Sequence, residues 1–157
     1  MKKVSAASSI SEWRLEGKVL FLDRCLGKTV VAETLRADGL SVVTHFEQFP
    51  QTEHDPEADD STWLREVGRR GWVILSKDQH LDRNQIELVA LLESGAACFV
   101  LTAGSMTGHE MADAFLRAMP SIGKCLEKFP APFVARLTAA GRVQMHLTQS
   151  GLIKRVG

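Results

Sequence analysis

Four short apolar runs, at residues 18–22, 41–45, 72–75 and 96–101, are separated by segments of helical periodicity, and this alternation limits the chain to few architectures. Lys18-Val19-Leu20-Phe21-Leu22 reads as a buried strand, and Lys28 to Ala37 as a helix with Val30, Val31 and Leu35 inward. Gly39 stands where a left-handed cap would end that helix. Ser41-Val42-Val43-Thr44-His45 is a second strand, followed by a polar loop from Glu47 to Ala58 that carries Pro50 and Pro56 and is long enough to be functional. Asp59 or Asp60 caps a helix with Trp63, Leu64 and Val67 inward, and Trp72 to Leu75 forms the third strand. Asn84 and Glu87 fit a capping box for a helix, Ile86 to Leu92, that is apolar nearly all round and so expected to be buried. Ala96 to Leu101 is a fourth strand, and Thr107 with Glu110 forms another capping box ahead of the stripe Met111, Ala114, Phe115, Ala118 and Met119.

Strand alternating with helix over residues 18–119 predicts an α/β fold: a three-layer α/β/α sandwich around a mostly parallel sheet of four or five strands. Phe133 to Thr138 and Val143 to Leu147, joined through Ala139-Ala140-Gly141, predict a C-terminal β-hairpin appended to it. At 157 residues and 45% hydrophobic the chain fits one domain, placed at 18–150 between an N-terminal extension at 1–17 and a C-terminal tail at 151–157.

Nineteen basic and nineteen acidic residues leave no net charge, so no global field draws the protein to nucleic acid or an anionic membrane, and any polyanion must be held by a local patch. Cys25, Cys98 and Cys125 are odd in number and contain no CxxC, which argues against a disulfide framework or a zinc site. Met1-Lys2-Lys3 is not followed by the apolar stretch of a signal peptide, and no run is long enough to span a bilayer. These features lead to the expectation of a cytoplasmic protein.

The chemistry lies at two strand ends. Phe21-Leu22-Asp23 and Val73-Ile74-Leu75-Ser76-Lys77-Asp78 both close an apolar strand with an acid, and ligands of open α/β sheets bind beyond the carboxyl ends of the strands. Asp60, opening the helix that feeds the third strand, reaches the same edge in a standard crossover. Crowded carboxylates repel one another, and a hard cation such as Mg²⁺ or Mn²⁺ relieves that repulsion and can activate a water against a phosphodiester. Ser76 is placed to orient the acid of its own strand end, Asp78. Each acid alone has a plainer role, Asp60 as a helix cap and Asp78 as a turn former; their coincidence carries the reading.

The order Phe-Leu-Asp-Arg-Cys-Leu at 21–26, Leu-Arg-Ala-Asp-Gly-Leu-Ser-Val-Val at 35–43, Asp-Ser-Thr-Trp-Leu at 60–64 and Val-Ile-Leu-Ser-Lys-Asp at 73–78 resembles the PIN-like domains, relatives of the VapC-type toxin ribonucleases. In that family one Asp ends strand one, a second opens the helix before strand three, and a Thr/Ser-x-Asp ends strand three; Asp23, Asp60 and Asp78 with Ser76 match these positions. The resemblance implies an endoribonuclease dependent on Mg²⁺ or Mn²⁺, ligated by those three acids, often a homodimer and often neutralised by a cognate antitoxin. Many relatives carry further acids where this chain has Arg24 and His80; His80 is a substitute ligand or proton shuttle, or else a turn residue. Glu33, on the polar side of the first helix, is a candidate fourth carboxylate or a solvated surface residue, and Asp59 and Asp82 rank below the matched acids. Arg24, Lys28 and Lys77 flank the acids as candidate phosphate contacts. Two rivals stand beside the nuclease: a catalytically weakened PIN-like module binding RNA or protein, motivated by Arg24 and His80, and a phosphoacceptor receiver-like domain, which Asp23-Arg24 fits poorly because that domain pairs two acids after its first strand.

Overall fold

The computed structural model describes residues 11–50, 60–77 and 85–157, the first three of the middle stretch through their backbone alone. Six strands form one sheet: β1 (Val19–Leu22), β2 (Ser41–Thr44), β3 (Val73–Ser76), β4 (Ala97–Leu101), β5 (Phe133–Leu137) and β6 (Val143–Leu147). Their order is β2-β1-β3-β4-β5-β6; β1 to β5 are parallel and β6 is antiparallel to β5. The expected hairpin is therefore no appendage. Its first strand pairs directly with β4, continuing the parallel sheet, and only its second strand reverses.

Strand residues alternate between two apolar cores because successive side chains in a strand leave the sheet on opposite faces. Leu20, Leu22, Val73, Leu75, Phe99 and Leu101 contribute to one core, together with α1 (Val30–Ala37) and α5 (Gly108–Lys128). Phe21, Ile74, Cys98, Val100 and Val134 contribute to the other, with α3 (Asp60–Arg69), α4 (Gln85–Ser94) and α6 (Gln149–Val156). The three-layer sandwich expected from the sequence follows. Phe21, Phe99, Phe115 and Phe133 are all fully buried, each stabilising the fold by about 1.5–3 kcal/mol relative to exposure.

The crossovers are not uniform. The chain moves one way from β1 to β2 over the α1 face, and back the other way from β2 to β3 and from β3 to β4 over the α3/α4 face. From β4 to β5 it continues in that second direction but passes over the α1 face, so the β4-α5-β5 crossover has the opposite hand to the three before it. That route lays α5 beside α1; the stripe Met111, Ala114, Phe115, Ala118 and Met119 is buried there, and the Thr107–Glu110 capping box is formed.

Three local expectations need correction. Val30 is exposed, because α1 begins at Val30 itself and its inward side is Val31, Ala32 and Leu35; Val30 instead leans on Gly108, where an added Cβ would lie 2.9 Å from it. Ile86 is 60% exposed on an α4 whose buried side is Leu88, Ala90 and Leu91, so apolarity all round did not mean burial all round. Residues 151–157, expected as a tail, lie mostly in α6, capped by Thr148 and anchored by buried Leu152. Asn84 of the expected capping box lies outside the described residues.

Directly after β2 the chain makes a short turn of helix, α2 (His45–Gln48), held by a reciprocal capping box. Thr44 Oγ1 accepts from Glu47 N at 3.1 Å, and Glu47 Oε1 accepts from Thr44 N at 2.8 Å and from Arg36 Nη2 at 2.7 Å. The backbone bond from Thr44, above all, lowers the Glu47 carboxyl below its ordinary value of 4.5, with Arg36 adding to it. A lowered folded-state pKa means that the contribution to stability is complete above the unfolded value and disappears as pH falls through the folded one. The difference in Tm between the wild type and Glu47→Gln is therefore expected to be constant near neutrality and to shrink below pH 4.5; a difference that grows on acidification would refute this account.

Gly68 tests the packing of α3 on α4. A Cβ there would lie 2.3 Å from Ser94 Cβ and 2.6 Å from its carbonyl oxygen, so the two helices touch where Gly68 has no side chain. Helix propensity alone favours Gly68→Ala by about 1 kcal/mol, whereas overpacking costs about 1–3 kcal/mol. Because backbone as well as side chain must yield, a net fall in Tm of a few degrees is expected in thermal unfolding, and a rise would overturn the close approach.

Candidate active site at the carboxyl edge

The chain leaves β1 toward β2 on one side and enters β3 on the other, so the strand order reverses between β1 and β3, and their carboxyl ends flank a crevice. Leu22 pairs with Leu75, and the ladder runs one bond further: Asp23 N donates to Leu75 O at 3.0 Å. This register fixes the Asp23 backbone against the end of β3. Its side chain is then held from two sides. Arg24 N donates to Asp23 Oδ1 at 2.7 Å, making Asp23 the cap of a 3-10 turn over Arg24–Leu26, and Ser76 Oγ donates to Asp23 Oδ2 at 2.9 Å.

Both groups are buried, Asp23 at 6% exposure and Ser76 at 0%, on a sheet whose neighbouring positions are leucine and isoleucine. A polar pair in such a place must be hydrogen-bonded to be tolerated, and here each member satisfies the other. Ser76, expected to orient the acid of its own strand end, thus reaches the acid of the first strand across the crevice.

Cys25 completes the cluster and was not singled out in the sequence. Its Sγ lies 3.8 Å from Asp23 Oδ2 and 3.6 Å from Ser76 Oγ, and accepts from Lys77 N at 3.2 Å. The only sequence signal was its position two residues after Asp23, which places it over the start of the same 3-10 turn. Lys77 is thereby tied to the cluster through its backbone, while Arg24 is half-buried beside Asp23 and Lys28 is exposed on the loop leading to α1. Lys28 Nζ stands 5.0 Å from the centroid of the Phe46 ring on α2.

Asp60 is the first residue of α3. Because α3 runs back from the end of β2 to the start of β3, its first turn lies on the carboxyl side of the sheet, the side on which Asp23 sits. Asp78 and His80, with Asp59 and Asp82, lie outside the described residues. Glu33 is exposed in the first turn of α1. Among the described residues no three His, Cys, Asp or Glu side chains are grouped to hold a metal ion. Trp63 is buried, in ring contact with Phe21 at 5.3 Å; Trp72 is half-buried beside the same core with Arg70 over its ring at 5.1 Å, and Trp13 packs against the other core. Among the described residues no helix is long and apolar enough to cross a membrane.

Residues 19–103 match the model of a family described as "PIN like domain". The chain is 27% identical over 115 residues, 73% of its own length and 82% of the other's, to the protein named "Putative ribonuclease VapC45" of Mycobacterium tuberculosis. No solved structure matches it. The matched segment contains Asp23, Asp60, Ser76 and Asp78 and spans β1 to β4, more than half of the sequence, and on that ground the chain belongs to the PIN-like domain family.

Proposed function

We propose that this protein is a metal-dependent endoribonuclease hydrolysing RNA phosphodiesters. The observation that carries the reading is the Asp23–Ser76 hydrogen bond at the point where the strand order reverses, on a chain of the PIN-like family. The likeness to a protein named as a ribonuclease supports the choice of RNA.

Asp23 offers hard carboxylate oxygen donors, which suit Mg²⁺ or Mn²⁺. Asp60 and Asp78 would join it as ligands; their side chains are not among those described. A divalent ion held there supplies Lewis acidity to a water facing the scissile phosphate. The chain's own contribution is orientation. Ser76 and Arg24 fix the orientation of the Asp23 carboxylate before any ion is loaded, on the sheet face that buries Phe21 and Ile74. Arg24, Lys28 and Lys77 would hold phosphates flanking the cut, a local substitute for the absent net charge. Glu33 and His80 are the positions from which a further ligand or proton carrier would come. By the same family reading the protein is the cytoplasmic toxin of a toxin–antitoxin pair, a homodimer restrained by a cognate antitoxin.

Arg24 and His80, where many family members carry acids, motivate the second reading, a catalytically weakened PIN-like module that binds RNA or protein without metal. Calorimetric titration of Mn²⁺ into the wild type and Asp23→Asn separates the two, since stoichiometric uptake lost in the variant belongs to the nuclease alone. In a cleavage assay with a single-stranded RNA, Ser76→Ala is expected to reduce Mn²⁺-dependent turnover by about 10- to 100-fold through misorientation of Asp23. Asp23→Asn and Asp78→Asn are expected to fall further, to the rate seen without metal. Undiminished cleavage by Asp78→Asn would sink the assignment.

A further inference from the structure

Six of the chain's seven phenylalanines belong to one of the two apolar cores, and Phe46 alone belongs to neither. It is half-buried, with the Lys28 amine over its ring. The turn that carries it is nonetheless held from every side. The capping box closes over Phe46 between Thr44 and Glu47, and Arg36 ties Glu47 to the carbonyl of Val42 through bonds of 2.7 Å each. His45, the preceding residue, is buried with ring centroids 5.9 Å from Phe21, 5.3 Å from Phe49 and 5.7 Å from Trp63. So much structure fixing one turn, with an aromatic ring left partly in water and a cation above it, is the arrangement of a preorganised binding surface.

Its position identifies the ligand. Thr44 pairs in register with Leu22, the residue before Asp23, so Phe46 and Asp23 leave the ends of adjacent strands. Both residues thus follow the carboxyl ends of neighbouring strands, the edge of the sheet at which the proposed cut would be made. We propose that Phe46 and Lys28 form a shelf for single-stranded RNA, Phe46 stacking the base next to the scissile phosphate and Lys28 moving from the ring to the adjoining phosphate. The inference rests on the ribonuclease reading and deepens it by naming two residues that would receive a base and its phosphate. A duplex keeps its bases stacked on one another and cannot offer one to a protein ring, whereas stacking on an aromatic side chain tolerates any base.

The test is fluorescence anisotropy of a labelled single-stranded RNA with the full chain in EDTA, where cleavage does not intervene. Phe46→Leu keeps the apolar volume and is expected to bind roughly tenfold more weakly, the loss from removing one base–aromatic stack. Phe46→Trp is expected to restore wild-type binding, which a purely structural role for phenylalanine does not predict. Lys28→Gln is expected to reduce the salt dependence of binding by about one phosphate contact. Binding of duplex RNA is expected to be indifferent to Phe46, and in Mn²⁺ Phe46→Leu is expected to raise KM more than it lowers kcat. If the wild type cuts RNA and Phe46→Leu binds and cuts it equally well, the shelf is wrong while the ribonuclease stands. A loss in Phe46→Leu that Phe46→Trp fails to restore also overturns the shelf. If the wild type neither binds nor cuts RNA, both fall.

Discussion

The parallel pairing of β1 with β3 is the constraint on which the rest of the molecule depends. β1 lies between strands that the chain visits in opposite directions, and Leu22 is in register with Thr44 on one side and Leu75 on the other. Fully buried Leu20, Leu22, Ile74 and Leu75 hold that register, since a slip of one residue would send every side chain of β1 to the wrong face. The same slip would carry Asp23 away from Ser76. The polar pair in the crevice is thus positioned by hydrophobic burial, and its hydrogen bond fixes only the final orientation of the carboxylate.

Much of this was legible because period and punctuation are local. The four strands between residues 18 and 101, the inward side Trp63, Leu64 and Val67, the stripe Met111 to Met119 and the Thr107–Glu110 box all follow from neighbouring residues. So does the placement of Asp23 and Ser76 at strand ends, because an acid directly after an apolar run has nowhere else to be. Pairing partners were not legible: alternation in Phe133–Leu137 says that a strand forms, but not that it adds to β4, and nothing local distinguishes the hand of a crossover. Ile86 and Val30 were misread for a related reason. Burial depends on whether a neighbour arrives to cover a face, and that neighbour is remote in sequence. The α2 turn could have been found, since Thr44-His45-Phe46-Glu47 has the spacing of a capping box; it was hidden by the strand before it and the prolines after it.

The zero net charge sharpens what the site must do. Without a global field to gather a polyanion, the proposed affinity for RNA would have to come from a few contacts at the carboxyl edge, and three arginines on and just after α3 are paired with acids: Arg65 with Glu93, and Arg69 and Arg70 with Glu66. Exposed pairs of this kind add little to stability, but they cancel charge that would otherwise attract nucleic acid along that helix. On the proposed function, that cancellation would favour the crevice over this part of the surface.

The reversed crossover has a consequence for the boundaries of the fold. The segment shared with the family model ends at residue 103, before α5 begins, yet α5 is what covers Leu22, Leu75, Phe99 and Leu101 on the α1 face. Cut at the limit of that segment, the chain would keep both strands that carry Asp23 and Ser76 and lose the cover over one face of its sheet. The family model stops at β4, whereas the sheet is covered on both faces only when the helix beyond it has returned across it; the matched segment of this protein is smaller than its unit of folding.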